Sequence, residues 1–383
     1  MDDLHSREAG ALQLTTQAPW CHALGSPLYG ALLERAALDC GEGGVVWSIL
    51  EGQENEPLSA AVALRFMGAV HGLVLAGEAP ELARHYPSCG GTVGNLEQAW
   101  QAFRQTLLDN EERLRRLARL PVQTNEVGRS AVLLGGFLTI AERTSLPLRL
   151  LEIGASAGLN LRWDRFRYET ADAAWGDARS PVRFERVFED VHPSLATRVE
   201  VVARVGCDVQ PLDPGSEDGQ ATLRAYLWPD QTARRRRLDG AIEVAAALPV
   251  TVERIGAGDF LARELAGRVP KMATVIFHSI MIQYVPKEER RRVFETIRAA
   301  GERADADAPL AWLRFEPAKG DGGDWIHRLD LTLWPGGEEM MLATASPHGP
   351  PVKWMASPLG PLSAAERGDQ NPPSRPREGG QGG

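Results

Sequence analysis

The stretch Leu148-Arg149-Leu150-Leu151-Glu152-Ile153-Gly154-Ala155-Ser156-Ala157-Gly158-Leu159-Asn160-Leu161 constrains the fold of this chain more than any other. Residues 148–153 are rich in branched apolar side chains and end on an acid before a glycine-spaced turn. That is the pattern of a buried parallel strand running into a loop and a helix N-terminus. Gly154 and Gly158 allow positive φ and close backbone approach, and Ser156 and Asn160 add polar groups beside the free N–H groups that open a helix. The combination predicts a ligand-binding turn, since a purely structural turn seldom needs two glycines, a serine and an asparagine together. The spacing is G-x-x-x-G. It is neither the G-x-G-x-x-G that brings a pyrophosphate against the backbone nor a P-loop, because no Gly-Lys-Ser/Thr follows.

The rest of the chain must supply the sheet that holds this strand. At 383 residues, 43% apolar and 24% charged, it is long enough for two domains and a sizeable core. Its formal charge of -9 argues against nonspecific nucleic-acid or anionic-membrane binding, so neither partner is expected. Cys21, Cys40, Cys89 and Cys207 are scattered without metal-ligand spacing, which predicts reduced thiols and no metal site. The N-terminus lacks the layout of a signal peptide, and the apolar run Leu58–Ala76 carries Arg65 and His71, as a core helix does; a cytoplasmic protein is expected.

In chain order, residues 1–122 read as a helical N-terminal region, with helices from Ser26-Pro27, over Leu58–Ala76 and over Leu96–Leu120. The sheet domain is expected over 123–356 and a disordered tail over 357–383. Thr124 or Asn125 can cap a helix leading into the central strand. Glu126 and Arg129, three apart on one face, place one charged group toward the pocket. Alternating aromatic and charged residues from Arg162 to Phe184 predict an edge hairpin inserted after a short helix.

Four further strands are expected: at 199–205, within 251–260 as a strand and its turn, at 273–279 and at 310–317, with a hairpin about Pro335-Gly336-Gly337 over 330–343. An acid at the carboxyl end of the strand after the glycine turn suits a ribose diol, which makes Asp208 the first choice and Asp213 the second. Trp228 and Asp230 read either as a pocket wall or as an ordinary helix start, and Arg234–Arg237 as a solvated helix face. Ligands in open parallel sheets bind beyond the carboxyl ends of the strands, so His278 and Ser279 point at the site.

The pattern E-x-G-x-S-x-G-x-N at 152–160 resembles the first motif of class I S-adenosylmethionine-dependent methyltransferases. That resemblance implies an α/β, Rossmann-like, mostly parallel sheet, with the turn residues Glu152, Gly154, Ser156, Gly158 and Asn160 at the amino-acid end of the cofactor. It also implies Asp259 as an acceptor from the adenine amino group. Gln-Thr-Asn-Glu at 123–126, Trp-Pro-Asp-Gln at 228–231, Phe-His-Ser at 277–279 and Leu-Trp-Pro-Gly-Gly at 333–337 resemble an uncharacterised bacterial family, domain of unknown function 2332, from about residue 20 to 355. Two features depart from the methyltransferase pattern: the long insertion before Asp208, and His278 where many have an acid or asparagine. The function expected is methyl transfer from S-adenosylmethionine to a small molecule or a protein side chain, with His278 as base and Tyr284 and Glu316 as alternatives. The competing expectations are a noncatalytic binding module using the helical region as a partner interface and, ranked lowest, a nicotinamide-dependent oxidoreductase, whose phosphate-binding glycine spacing is missing.

Overall fold

A computed structural model describes residues 2–320 and 322–355; the tail expected to be disordered lies outside the described residues. The chain opens with seven helices: α1 (Asp2–Ala23), α2 (Pro27–Gly41), α3 (Val45–Leu50), α4 (Val62–Leu75), α5 (Pro80–Ala83), α6 (Leu96–Asp109) and α7 (Glu111–Leu117). They enclose a core of their own around Tyr29, Phe66, Phe103 and Trp228. α6 starts where the Asn95 side chain accepts from the Glu97 and Gln98 amides. The single helix expected over 96–120 is broken at Asn110, and α1 has no counterpart among the expected helices.

The Leu58–Leu75 stretch is long and apolar enough to cross a membrane, yet more than half of it, 56%, is buried inside the fold. Arg65 and His71 are buried with it, hydrogen-bonded to Gln53 and Glu56 and to Ala225 and Ser88. It is therefore a core helix, as expected, and the fold is compatible with a soluble protein.

The remainder is α/β. α8 (Arg129–Thr144) leads into β1 (Leu148–Ile153), the central strand. After an inserted three-stranded sheet of β2 (Arg167–Glu169), β3 (Ala174–Trp175) and β4 (Arg183–Phe184) come β5 (Val201–Asp208), α9 (Glu217–Ala225), α10 (Thr232–Ala247) and β6 (Thr251–Arg254). α11 (Ala257–Glu264), β7 (Ala273–Ser279), α12 (Lys287–Gly301), β8 (Leu310–Lys319), β9 (Trp325–Trp334), β10 (Glu338–Ser346) and β11 (Gly349–Trp354) complete the fold.

The large sheet runs β11-β10-β9-β8-β7-β1-β5-β6. Pairings from β6 to β8 are parallel, and β8-β9, β9-β10 and β10-β11 are antiparallel. The hairpin expected near 330–343 thus belongs to an antiparallel meander that extends the sheet beyond β8. Alternate side chains of β1 serve opposite faces: Leu148 and Leu150 join the core under α8 and α10, and Leu151 and Ile153 join the core under α11 and α12. Counted in chain order, the five parallel strands lie 3-2-1-4-5, so the order reverses between β1 and β7, where open sheets bind ligands.

The expectation of a helix directly after the glycine turn is not met. Asn160–Arg165 forms a 3-10 segment interrupted at Arg162, and the chain then enters the small sheet, where β2 pairs antiparallel with β3 and parallel with β4. The physical reason is aromatic packing. Trp163, stacked on Phe137 at 4.3 Å and on Trp175 at 5.1 Å, anchors this segment against α8 and β3 rather than letting it run on as a helix. The insertion accounts for the long interval between Gly158 and Asp208.

Candidate functional site

A cleft of about 560 Å³ opens at the carboxyl ends of β1, β5, β6 and β7. Its floor is made by Gly154 and Ser156 after β1, Cys207–Gln210 at the end of β5, Ile255–Ala257 after β6 and Ser279–Met281 after β7. The helical region closes it from above with Ser59, Ala60 and Arg65, and the connector Pro121–Thr124 forms one side. The volume falls in the range of small-molecule and cofactor sites, and the place is the one parallel sheets use.

The glycine turn is held from two sides. The Asp208 carboxylate accepts from the Ser156 amide at 2.9 Å and from the Gln210 amide at 2.9 Å, tying the ends of β1 and β5 together. Asn125 Oδ1 accepts from the Leu159 amide at 2.9 Å, and Asn160 Nδ2 donates to the Glu126 carbonyl at 3.3 Å, so the Gln-Thr-Asn-Glu segment locks the far side. Three turn residues adopt positive φ: Gly154 at 68°, Ser156 at 51° and Gly158 at 65°. Serine there is held against its preference. Its hydroxyl is buried at the cleft wall with no hydrogen-bond partner; Glu152 Oε2 and Asn160 Oδ1, which do not line the cleft, are likewise buried and unpartnered, as are atoms of Gln53, Tyr86 and Arg143, which do not line it either. Burial, with the charge of Asp208 nearby, pushes the Glu152 carboxyl well above the usual range.

The two glycines differ in what they face. A Cβ on Gly154 would meet the Met281 side chain at 2.8 Å, inside the cleft lining, whereas one on Gly158 would meet Val252 Cγ2 at 2.8 Å, in the protein interior. Gly158 is thus required by packing against β6.

Several expected site residues are placed elsewhere. Asp259 lies exposed on α11 in an ion pair with Arg292, because the first turn of that helix turns it toward α12. Glu289 of α12 occupies the cleft wall instead, its Oε1 accepting from the Gly258 amide at 2.7 Å. Asp213 is exposed and closes its own turn through the Gly215 amide. Asp230 accepts from Ser26 Oγ at 2.5 Å and from the Leu28 amide at 3.1 Å, capping α2 in place of Ser26. Trp228 is buried in the helical core beside Tyr29 and His348. The Trp-Pro-Asp-Gln segment therefore joins the helical region to the sheet and does not reach the cleft.

Of Glu126 and Arg129, the arginine lines the cleft. Glu126 is buried and held by both Arg234 Nε, at 2.7 Å, and Arg234 Nη2. Burial opposes its ionisation, but Arg234, His348, the Gly128 amide and Arg129 together hold its carboxyl below the usual range. The solvated face expected at 234–237 is corrected accordingly: Arg234 also stacks over Trp228 and Arg237 over Phe184, and only Arg236 of the run is exposed.

His278 is buried on the face of β7 turned toward α12. Its Nε2 accepts from the Trp312 indole N–H at 3.1 Å and its Nδ1 donates to Glu316 Oε1 at 2.7 Å. An indole N–H only donates, so the ring is the neutral Nδ1–H tautomer with both nitrogens committed. Glu316 Oε1 also accepts from the amides of Met281, at 3.1 Å, and Ile282, at 3.4 Å, fixing the loop that carries the cleft wall. Tyr284, about half exposed, lines the cleft, as does Ser279. His327 of β9 was not singled out from sequence; it is half-buried beside Arg129 and Glu316, and its ring makes no side-chain hydrogen bond among the described residues. Among the described residues no three His, Cys, Asp or Glu side chains are grouped to hold a metal.

No curated protein and no solved structure matches the chain. A family profile described as "Uncharacterized protein conserved in bacteria (DUF2332)" covers residues 11–354. With most of its length inside that profile, from within α1 to the last residue of β11, the chain belongs to the domain of unknown function 2332 family.

Proposed function

We propose that the cleft binds S-adenosylmethionine and that the protein is a methyltransferase of Rossmann-like, class I type acting on a small molecule or a side chain presented to the cleft. The observation that carries this reading is the Ser156 hydroxyl, buried and unpartnered on a positive-φ residue at the cleft wall. Buried polar groups in native proteins are hydrogen-bonded, and strained backbone persists where function uses it. With its side chain turned into the cleft, the hydroxyl would find its missing partner in a ligand seated on the turn. Two further features support a nucleoside there. Asp208 and Glu289 face the β5–β6 side of the cleft, and each oxygen of Asp208 retains a lone pair for a ribose hydroxyl. The 3-2-1-4-5 strand order also places the turn at the reversal point of the sheet.

When bound, the cofactor supplies an electrophilic methyl group on a sulfonium. The chain's own contribution is alignment and exclusion of water: Ser59, Ala60 and Pro121–Thr124 close the cleft over the strand ends. Of the expected acid–base trio, Tyr284 alone lines the cleft; His278 and Glu316 position the Met281–Tyr284 loop. That commitment of His278 favours, as the second reading, a binding module that takes the nucleoside without transfer. Thermal unfolding with S-adenosylmethionine, S-adenosylhomocysteine and NAD tests the cofactor. Stabilisation by the sulfur nucleosides is expected, and a response to NAD alone would overturn the proposal.

A further inference from the structure

Arg129, the first residue of α8, lines the cleft beside Gly154 and Ser156. Its Nη1 donates to the Ser279 carbonyl at 2.8 Å and its Nε to the Pro347 carbonyl at 3.1 Å. A guanidinium has five N–H donors, so three are left without a protein acceptor, and among the described residues no carboxylate lies within ion-pairing distance of it. Two carboxylates share its electrostatic surroundings, and neither is hydrogen-bonded to it. Glu126 is held by Arg234 and the Gly128 amide, while Glu316 Oε1 is taken by His278 and the Met281 and Ile282 amides and its Oε2 is buried with no hydrogen-bond partner, Arg129 included. A half-buried cation with no carboxylate at ion-pairing distance is left to find its counter-charge in the cleft. At the opposite side the cleft presents Asp208 and Glu289. The cavity is thus acidic at the β5–β6 end and cationic at the α8–β7 end, with the unpartnered Ser156 hydroxyl between them.

We infer that Arg129 is a carboxylate subsite, which makes the cleft select nucleosides whose tail carries a free carboxylate. The inference rests on the nucleoside reading of the cleft given above. A planar guanidinium matches a carboxylate with two parallel N–H donors, and the rest of its fork is already fixed by Ser279 and Pro347, so little side-chain entropy is lost on binding.

The test is calorimetric titration of the full chain with S-adenosylhomocysteine and with its decarboxylated analogue, which differs only in the missing carboxylate. The wild type is expected to bind the first about 10- to 100-fold more tightly, the equivalent of one charged hydrogen-bonded contact. Arg129→Gln should bring S-adenosylhomocysteine down to the affinity of the analogue while leaving the analogue's own affinity unchanged, and Arg129→Lys should restore part of the preference. Equal affinity of the wild type for both compounds, or an unchanged preference in Arg129→Gln, overturns the subsite and leaves the nucleoside reading standing. Binding of neither compound by the wild type overturns both. If Arg129→Gln does not fold, the wild-type comparison and Arg129→Lys decide.

Discussion

Ser156→Gly separates a residue that serves the ligand from one that serves the fold. Serine at a φ of 51° sits in the left-handed region, which costs about 1–2 kcal/mol relative to glycine. Its hydroxyl is buried without a partner, a desolvation penalty of about 1–3 kcal/mol. Against these gains, glycine adds about 0.5–1 kcal/mol of unfolded-state entropy. The substitution should therefore stabilise the ligand-free protein by about 1–4 kcal/mol, read by denaturant unfolding at constant m. The same variant should bind S-adenosylhomocysteine about 3- to 10-fold more weakly, the worth of one neutral hydrogen bond. Opposite signs in the two assays are the signature of a functional site held at a cost in stability. A variant less stable than wild type by 1 kcal/mol or more, or one with unchanged affinity, would refute the reasoning and make the hydroxyl a structural group.

Other expectations concern the groups that hold the cleft. Glu126→Gln leaves Arg234 buried without its counter-charge and should cost about 3–5 kcal/mol by denaturant unfolding. Because the folded carboxyl of Glu126 lies below its usual value of 4.5, its contribution is present above that pH and is lost as pH falls toward the folded value; the variant should lack that acid limb. Glu152 has the opposite sign. Its folded carboxyl is raised, so its stabilising effect is complete below 4.5 and is lost as pH rises, and Glu152→Gln should hold stability level across that rise. His278→Ala should unpair the Trp312 indole and remove one of the three donors to Glu316 Oε1 and cost about 2–5 kcal/mol, a loss seen by thermal unfolding without any acceptor; an alanine variant as stable as wild type would contradict the positioning role.

The parallel strands were legible because they are apolar runs closed by polar or glycine residues. β7 ends on the expected residue, and β8 continues two residues beyond its expected end. The place of the glycine turn and of Asp208 at the cleft was legible for the same reason: both sit at strand ends. What escaped depends on partners far along the chain. Asp230 caps a helix through Ser26, 204 residues earlier in the chain, and Arg234 meets Glu126 across 108 residues, so an arginine run that looks solvated in sequence is an internal tie. Helical phase decided between Asp259 and Glu289, and one sequence gives no account of how α11 and α12 face one another. His278 was correctly placed at a strand end, but strand alternation turned its side chain to the face opposite α8, where Trp312 and Glu316 take both nitrogens.

The most direct measurement is the crystal structure of the protein grown with S-adenosylhomocysteine. The account predicts ligand density over Gly154 and Ser156, with the ribose at Asp208 and the tail toward Arg129. Density confined to the groove lined by Trp175 and Leu195, or a cleft left empty at millimolar ligand, would contradict it.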